Sequence, residues 1–401
     1  MNMKKITFLC AIHLLIFSSC SKDEGSIDPS PIIPDHSWAP LNRTTSSIYL
    51  AAEDSTIIDT NSVELDFYRN TAYTCGISGN YTFLVVEPMN NPGAEAPLWV
   101  YLHGGGAGYY DENQQYIIGV STVTGLPHAN NHNTEKTIEH LRDGQLIYNT
   151  HTNSGQIENS TLTRRIMEGY RILIVSMSDH DLHSGMGTPY LNNPNGGEVN
   201  GLQANMAAID YTIANYPTTH VFAHGTSAGS VGAFTLAYAY NLEGVKLNGI
   251  IMDSHLASAR TDTLNKALAG VSGFPFAANF IAQEFANKVG WIGDPDRFPG
   301  IEYVIDNGYD IPSLDIYGNL DPGCGGGLAR TDEAHSVGLD NCDWVHDGFR
   351  QAVAAQPNSI HKVQVTTGFG HVPTNYASPA NDFVDEFISE ILATNPPNPF
   401  N

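Results

Sequence analysis

Hydrophobic period changes again and again along this chain, and the alternation has few architectural solutions. Short apolar, β-branched runs at Leu98–Leu102, Arg171–Val175, His220–Ala223, Val245–Met252, Ser313–Tyr317 and Lys362–Thr366 read as strands. Helical spacing marks Val199–Tyr216, Ala228–Tyr240 and Asp382–Ala393. Strands alternating with helices imply a mostly parallel sheet with helices on both faces, an α/β class of fold. Glu64–Tyr68 and Tyr81–Glu87 fit a leading antiparallel pair. In such sheets ligands sit beyond the carboxyl ends of the strands, so residues just after each strand are the functional candidates. Two connections, 107–170 and 254–312, are too long for plain crossovers and are expected to form pocket walls or a lid.

Charge narrows the partners. A net charge of −24 over 401 residues repels phosphate backbones, so nucleic-acid binding is disfavoured. The 41 % apolar and 10 % aromatic content is enough for a large packed core. Charged residues make up only 15 % of the chain, below the usual share of about 25 %. Together with 38 Gly and 19 Tyr, that suits a loop-rich protein outside the cytoplasm. Length allows one large domain or two small ones, and no repeat of fixed period is visible.

The first residues read as an address. Lys4 and Lys5 precede a mostly apolar run from Ile6 to Phe17, which is too short to span a bilayer. Ser18, Ser19 and Cys20 follow, and this ending resembles a bacterial lipoprotein signal, which implies that Cys20 becomes the lipidated first residue. Ser21, Lys22, Asp23 and Glu24 resemble the acidic tract that sends lipoproteins of Bacteroidota-type bacteria to the cell surface. The expected organisation is a signal over 1–19, a Pro-rich tether over 20–45, a body over 46–394 and a frayed tail over 395–401. Secretion permits disulfides. Cys324 and Cys342 flank one Gly-rich loop and are the expected pair, leaving Cys75 as a free thiol.

Catalytic signals stand at the strand ends. Gly225-Thr226-Ser227-Ala228-Gly229 follows one strand and opens a helix. A serine there sits on a sharp turn whose neighbours two residues away must lack bulk, with a helix N-terminus behind it. The pattern alone is weak, since a chain of this Gly and Ser content shows it by chance roughly once in four. His103-Gly104-Gly105-Gly106 directly follows another strand, as an oxyanion loop should, and its chance rate is roughly one in seventy. The expected donors are N–H groups of Gly105, Gly106 or Ala107, together with that of Ala228. The order nucleophile, acid, base then points to Asp321 and His371, each just after a strand. Asp315 and Asp340 are rivals for the acid. His371 would take the Ser227 proton and Asp321 would orient the imidazole.

Asp179-His180-Asp181-Leu182-His183 follows the Arg171–Val175 strand, and its carboxylates and imidazoles raise the question of a metal. An activated serine needs none, so no metal or cofactor is expected. Asp181 and His183, with His103, are instead assigned to substrate binding, with structural hydrogen bonding as the other role open to them.

These motifs resemble those of the α/β-hydrolases and, more distantly, of the pectin acetylesterase family. The likeness rests on Gly104-Gly105-Gly106, Asp181-Leu182-His183-Ser184-Gly185, Asn200-Gly201 and Ser227-Ala228-Gly229-Ser230, with Asp321 and His371 where the acid and base would fall. It spans roughly 98–371. It implies an α/β-hydrolase fold with long cap or pocket insertions, and a serine esterase that removes ester groups, acetyl foremost, from an extracellular polysaccharide. The expected partners are a polysaccharide or small ester substrate and the outer membrane, through the lipid anchor. Aromatic residues in the long connections are candidates for stacking on sugar rings. Two other readings use the same features: a serine peptidase or polyester/lipid esterase, and a non-catalytic glycan-binding lipoprotein on a hydrolase scaffold.

Overall fold

Leu98, Val100 and Leu102 turn to one face of the central sheet and Trp99 and Tyr101 to the other, all five without solvent exposure. That period of two, with no polar face, is the mark of a strand sandwiched between helical layers. The computed structural model describes residues 41, 43–58, 61–76, 79–89, 91–105, 108–110, 113–118, 135–142, 160–190, 192–254, 310–321 and 360–394. Isolated positions at 342, 346, 350, 353–355, 396 and 398–400 are also described.

In chain order the elements are β1 (Ile48–Ile58), β2 (Asn61–Asn70), β3 (Tyr81–Val86), β4 (Ala96–Leu102), β5 (Gly108–Tyr110), β6 (Tyr116–Ile118), α1 (Ile138–Leu141) and α2 (Thr161–Met167). Then come β7 (Arg171–Val175), β8 (Thr188–Pro189), β9 (Glu198–Val199), α3 (Gly201–Asn215), β10 (Thr218–Thr226) and α4 (Ala228–Leu242). The last are β11 (Gly249–Asp253), β12 (Ser313–Gly318), β13 (His361–Thr366) and α5 (Ser378–Ala393).

Nine strands form one sheet in the order β1-β2-β3-β7-β4-β10-β11-β12-β13. From β7 to β13 every pairing is parallel, and β1, β2 and β3 add antiparallel neighbours at one edge. The chain leaves β4 to one side for β7, then returns to β10 on the other. The carboxyl ends of β4 and β10, in register at Leu102 and Gly225, therefore flank the crevice where the strand order reverses.

Two helical layers close the sheet. α3 and α4 place Leu202, Met206, Val231 and Phe234 against the face carrying Val100 and Leu173. α2 and α5 place Leu162, Ile166, Phe387 and Ile388 against the face carrying Trp99 and Ile172. A Phe387→Ala cavity should cost about 3–5 kcal/mol, a large share of a domain's stability.

Two expectations about the ends of the body need correction. Arg43, within the expected tether, is already docked, since it pairs with Asp210 (2.7 Å) and Glu243 (2.6 Å). The end of the chain is held as well: Asn398 donates to the Thr218 carbonyl (2.6 Å) and Phe400 meets the Tyr240 ring edge-on. The signal, Cys20 and most of the tether lie outside the described residues, as do Cys324, Asp340 and much of both long connections. Cys75 is free and Cys342 is disulfide-bonded.

Candidate active site

The turn between β10 and α4 is closed by contacts that only glycine allows. A Cβ on Gly225 would lie 1.9 Å from the Gly229 carbonyl oxygen, and one on Gly229 would lie 1.8 Å from that of Leu102. Between them Ser227 takes φ 53° and ψ −118°, a conformation that an L-residue holds only when its surroundings impose it. Strain of this kind costs on the order of 1–3 kcal/mol. Ser227 N–H donates to the Asp253 carbonyl (2.8 Å), which fixes the turn to the neighbouring strand. The Ser227 side chain makes no capping bond to the helix it precedes.

His371 and Asp321 are joined by a 2.7 Å bond between Nδ1 and Oδ2. Asp321 is buried, whereas the imidazole is about a third exposed, its side chain 34 % accessible. The acid and base loops are pressed together: Leu320 N–H donates to the Phe369 carbonyl (2.9 Å), and Gly368 N–H to Asn319 Oδ1 (2.7 Å). A Cβ on Gly318 would meet the Gly370 carbonyl oxygen at 2.2 Å, so the acid loop begins on a glycine by necessity. With Nδ1–H given to the carboxylate, Nε2 is left to accept a proton. Burial pulls the His371 pKa down, but the bond and charge of Asp321, with the charge of Asp253, carry it above its ordinary value.

Of the two rival acids, the structure places Asp315 alone. Asp315 is committed to His346, with Nδ1 to Oδ2 at 2.6 Å in a buried pair. Asp340 is outside the described residues.

Of the expected oxyanion loop, His103, Gly104 and Gly105 are described, while Gly106 and Ala107 are not. Gly104 N–H is taken by Thr226 Oγ1 (3.1 Å), so the loop is stitched to the serine turn one residue before Ser227. Gly105 has φ 153°, where any other residue would be strained. Ala228 opens α4, and its N–H is among those that a helix start leaves without an intrahelical acceptor.

Substrate binding by Asp181, His183 and His103 is corrected by their burial. All three are at most 2 % exposed, and the bonds described for each run to the protein's own backbone or side chains. Asp181 accepts N–H groups of His183 (3.0 Å), Gly185 (2.9 Å) and Gly201 (2.8 Å), anchoring a loop in which His180, Leu182 and His183 all have positive φ. Burial raises its carboxyl pKa against the pull of those donors. His183 reaches from this loop to the loop after β4. Asn205 Nδ2–H donates to His183 Nδ1 (3.0 Å), so Nε2–H must donate to the His103 carbonyl (3.1 Å). Burial pushes the His183 pKa down to about 4, which keeps this ring neutral. Among the described residues no three His, Cys, Asp or Glu side chains gather where they could hold a metal ion.

Of the aromatic residues in the first connection, Tyr110 is buried and packs on Tyr190 (5.3 Å between centroids). It belongs to a small core and offers no ring to a ligand.

Sequence reasoning passed over Thr226, Asn205, Asp253, Ser254 and Thr374. The rule that found Asp321 also points at Asp253-Ser254, which end β11 at the same carboxyl edge.

No family model matches the chain, and no curated protein matches it. Solved structures do. A glucuronoyl esterase from Teredinibacter turnerae is similar at a TM-score of 0.50 and 11 % identity, over 88 % of this chain and 80 % of that one. An S-formylglutathione hydrolase from Agrobacterium tumefaciens is similar at 0.46 and 12 %, over 85 % and 99 %. Identities this low speak to architecture alone. The chain has the α/β-hydrolase fold.

Proposed function

We propose that this protein is a serine hydrolase of carboxylic esters, with Ser227 as nucleophile, His371 as general base and Asp321 as the orienting acid. One observation carries the reading: a strained, half-buried serine at the elbow before α4, on the same sheet edge as an imidazole whose Nδ1 is bonded to a buried carboxylate at 2.7 Å.

In this reading Ser227 Oγ attacks the ester carbonyl carbon while its proton passes to His371 Nε2. The carbonyl π electrons move to oxygen, and that oxyanion is met by Ala228 N–H and by N–H groups of the Gly105–Gly106–Ala107 segment. Collapse breaks the bond to the alcohol oxygen, which leaves with the imidazolium proton. Water, deprotonated by the same imidazole, then attacks the acyl-serine and releases the acid.

The substrate class is an ester-decorated extracellular polysaccharide, with acetyl as the acyl group. Its support is the resemblance to the pectin acetylesterase family and the lipoprotein-like start at Cys20, which suits an enzyme tethered to the outer membrane and facing outside. The structurally similar glucuronoyl esterase is, by its name, an esterase of a sugar acid. At −24 the chain is suited to neutral or weakly charged glycans over polyanions.

Turnover of p-nitrophenyl acetate by the wild type and by Ser227→Ala tests the assignment. The variant should lose on the order of 10⁴-fold or more in kcat. Equal rates would remove Ser227 from the mechanism.

A further inference from the structure

The proposed chemistry uses one carboxylate. A second, Asp253, ends β11 with no solvent exposure, and its bonds run to both sides of the reaction. Its backbone carbonyl holds Ser227 N–H (2.8 Å). Its side chain accepts Thr374 N–H (2.9 Å) and Thr374 Oγ1–H (2.5 Å) at Oδ2, and Ser254 Oγ–H (3.2 Å) at Oδ1. Ser254 Oγ in turn accepts Val372 N–H (2.8 Å). Two adjacent residues therefore grip the nucleophile's own amide and the chain at positions 372 and 374, directly beyond His371.

The grip is applied where the backbone resists it. Ser254 has φ 57° and Val372 φ 55°. A β-branched residue in the left-handed region is a conformational outlier that persists only under imposed contacts. Val372 follows His371 directly, so release of its N–H would loosen the backbone that carries the imidazole.

Hydrogen bonding and burial together set the form of Asp253 that does this. His224 is buried, and burial pushes its pKa down to about 3, so its ring is neutral. Thr374 Oγ1 gives its hydrogen to Asp253, so His224 Nε2–H donates to Thr374 Oγ1 (3.2 Å). Three hydrogen bonds converge on Asp253, but burial outweighs them and pushes its pKa up to about 7, so it is a carboxylate above that pH and largely protonated below it. The titratable groups that face it are Tyr101 from β4 and His371 and Tyr376 from the segment after β13, with His224 of β10 one hydrogen bond away through Thr374. Both phenols are shifted upward and stay neutral. His371, which also faces Asp321, is the group among these that becomes a cation.

We infer that Asp253 is a positioning residue for His371: with Ser254 it fixes the nucleophile turn and the base loop to one point, and its charge stabilises the imidazolium formed in the reaction. This rests on the serine-hydrolase reading. It adds a second carboxylate whose removal should change the chemistry step and the titration of the base together.

The test measures kcat and KM for p-nitrophenyl acetate from about pH 5 to about pH 9. It compares the wild type, Asp253→Asn and Ser254→Ala, with thermal melts to follow folding. Asp253→Asn should lower kcat about ten- to a hundred-fold with KM within about two-fold. It should also move the acid limb of kcat/KM to lower pH, because the lost negative charge no longer holds the proton on His371. Ser254→Ala keeps the charge and removes the hold on Val372, so kcat should fall while the acid limb stays in place. A folded Asp253→Asn with wild-type kcat, or with an unmoved or raised limb, overturns the inference and leaves the Ser227 assignment intact. If Asp253→Asn does not fold, a wild-type kcat in Ser254→Ala overturns it instead. A wild type in which a fluorophosphonate fails to label Ser227 fails the underlying reading, and the inference with it.

Discussion

Ser227 and His371 show how single side chains carry the account, since each is held against its own preference. The serine stays in a region hostile to a Cβ because Gly225 and Gly229 let the strand, the turn and Leu102 close around it. Gly229→Ala would drive a methyl to 1.8 Å from the Leu102 carbonyl oxygen, so β4 and α4 would have to part. The expected outcome is a loss of several kcal/mol in a urea melt, or a protein that does not accumulate folded. His371 is raised above its ordinary 6.5 although burial opposes this. The base must be unprotonated, so activity should be full at high pH and fall as pH drops through that raised value. The acid limb should lie above pH 6.5, and in Asp321→Asn kcat should fall about 10⁴-fold. A limb below 6.5 in the wild type would contradict the ion pair. These side chains were legible in the sequence because each lies within a few residues of a strand end. Their supports were not. Thr226, Asn205 and Thr374 act through contacts between elements far apart in the chain, and no local pattern announces those.

At the scale of elements, the loop after β4, the proposed oxyanion loop, is held by the loop after β7. His183 fixes the His103 carbonyl, Asn205 of α3 sets its tautomer, and Gly232 of α4 leaves room for the ring, with a Cβ there falling 2.6 Å from His183 Cβ. This changes the meaning of the Asp-Leu-His cluster, which reads in sequence as a pocket wall and in three dimensions is a buried brace. Burial could not be read from the residues, because Asp and His are rarely buried and both suit a ligand site equally well. A pH effect follows. Folded His183 binds its proton only near pH 4, whereas the unfolded residue does so near 6.5, so the unfolded state holds more protons between those values. The stability contributed by neutral His183 is present above 6.5 and is lost as pH falls toward 4, by about 3 kcal/mol at most. His371, with its raised value, acts in the opposite sense: its contribution is present below pH 6.5 and is lost as pH rises through its folded value. The loss of melting temperature between pH 6.5 and 4 should therefore be smaller in His183→Gln than in the wild type, and equal losses would contradict a neutral, buried His183. Element boundaries show the same limits. β1 was not foreseen because Ile48–Ile58 places Ala, Glu and Asp where a strand usually shows alternating apolar residues. Its partner β2 lies within the expected leading pair.

For the whole molecule, fold class was the most legible property, because strand–helix alternation leaves one layered solution. The ends of the body were the least legible. Arg43 and Phe400 dock through a salt bridge and an aromatic edge, and Pro-rich composition suggested loose chain at both places. Among the described residues no helix is long and apolar enough to cross a membrane, and the proposed attachment is through Cys20. Cys20→Ala should therefore move the protein from the detergent phase to the aqueous phase of a Triton extract without changing esterase activity; retention in the detergent phase would contradict the anchor.

All of this depends on an acyl group passing through one hydroxyl under the control of one imidazole. Mass spectrometry of peptides after brief exposure to a fluorophosphonate tests it directly. The account predicts one adduct, on the peptide containing Ser227, formed at least about a hundred-fold more slowly in His371→Ala. An adduct on another residue, or one formed as fast without the imidazole, would contradict it.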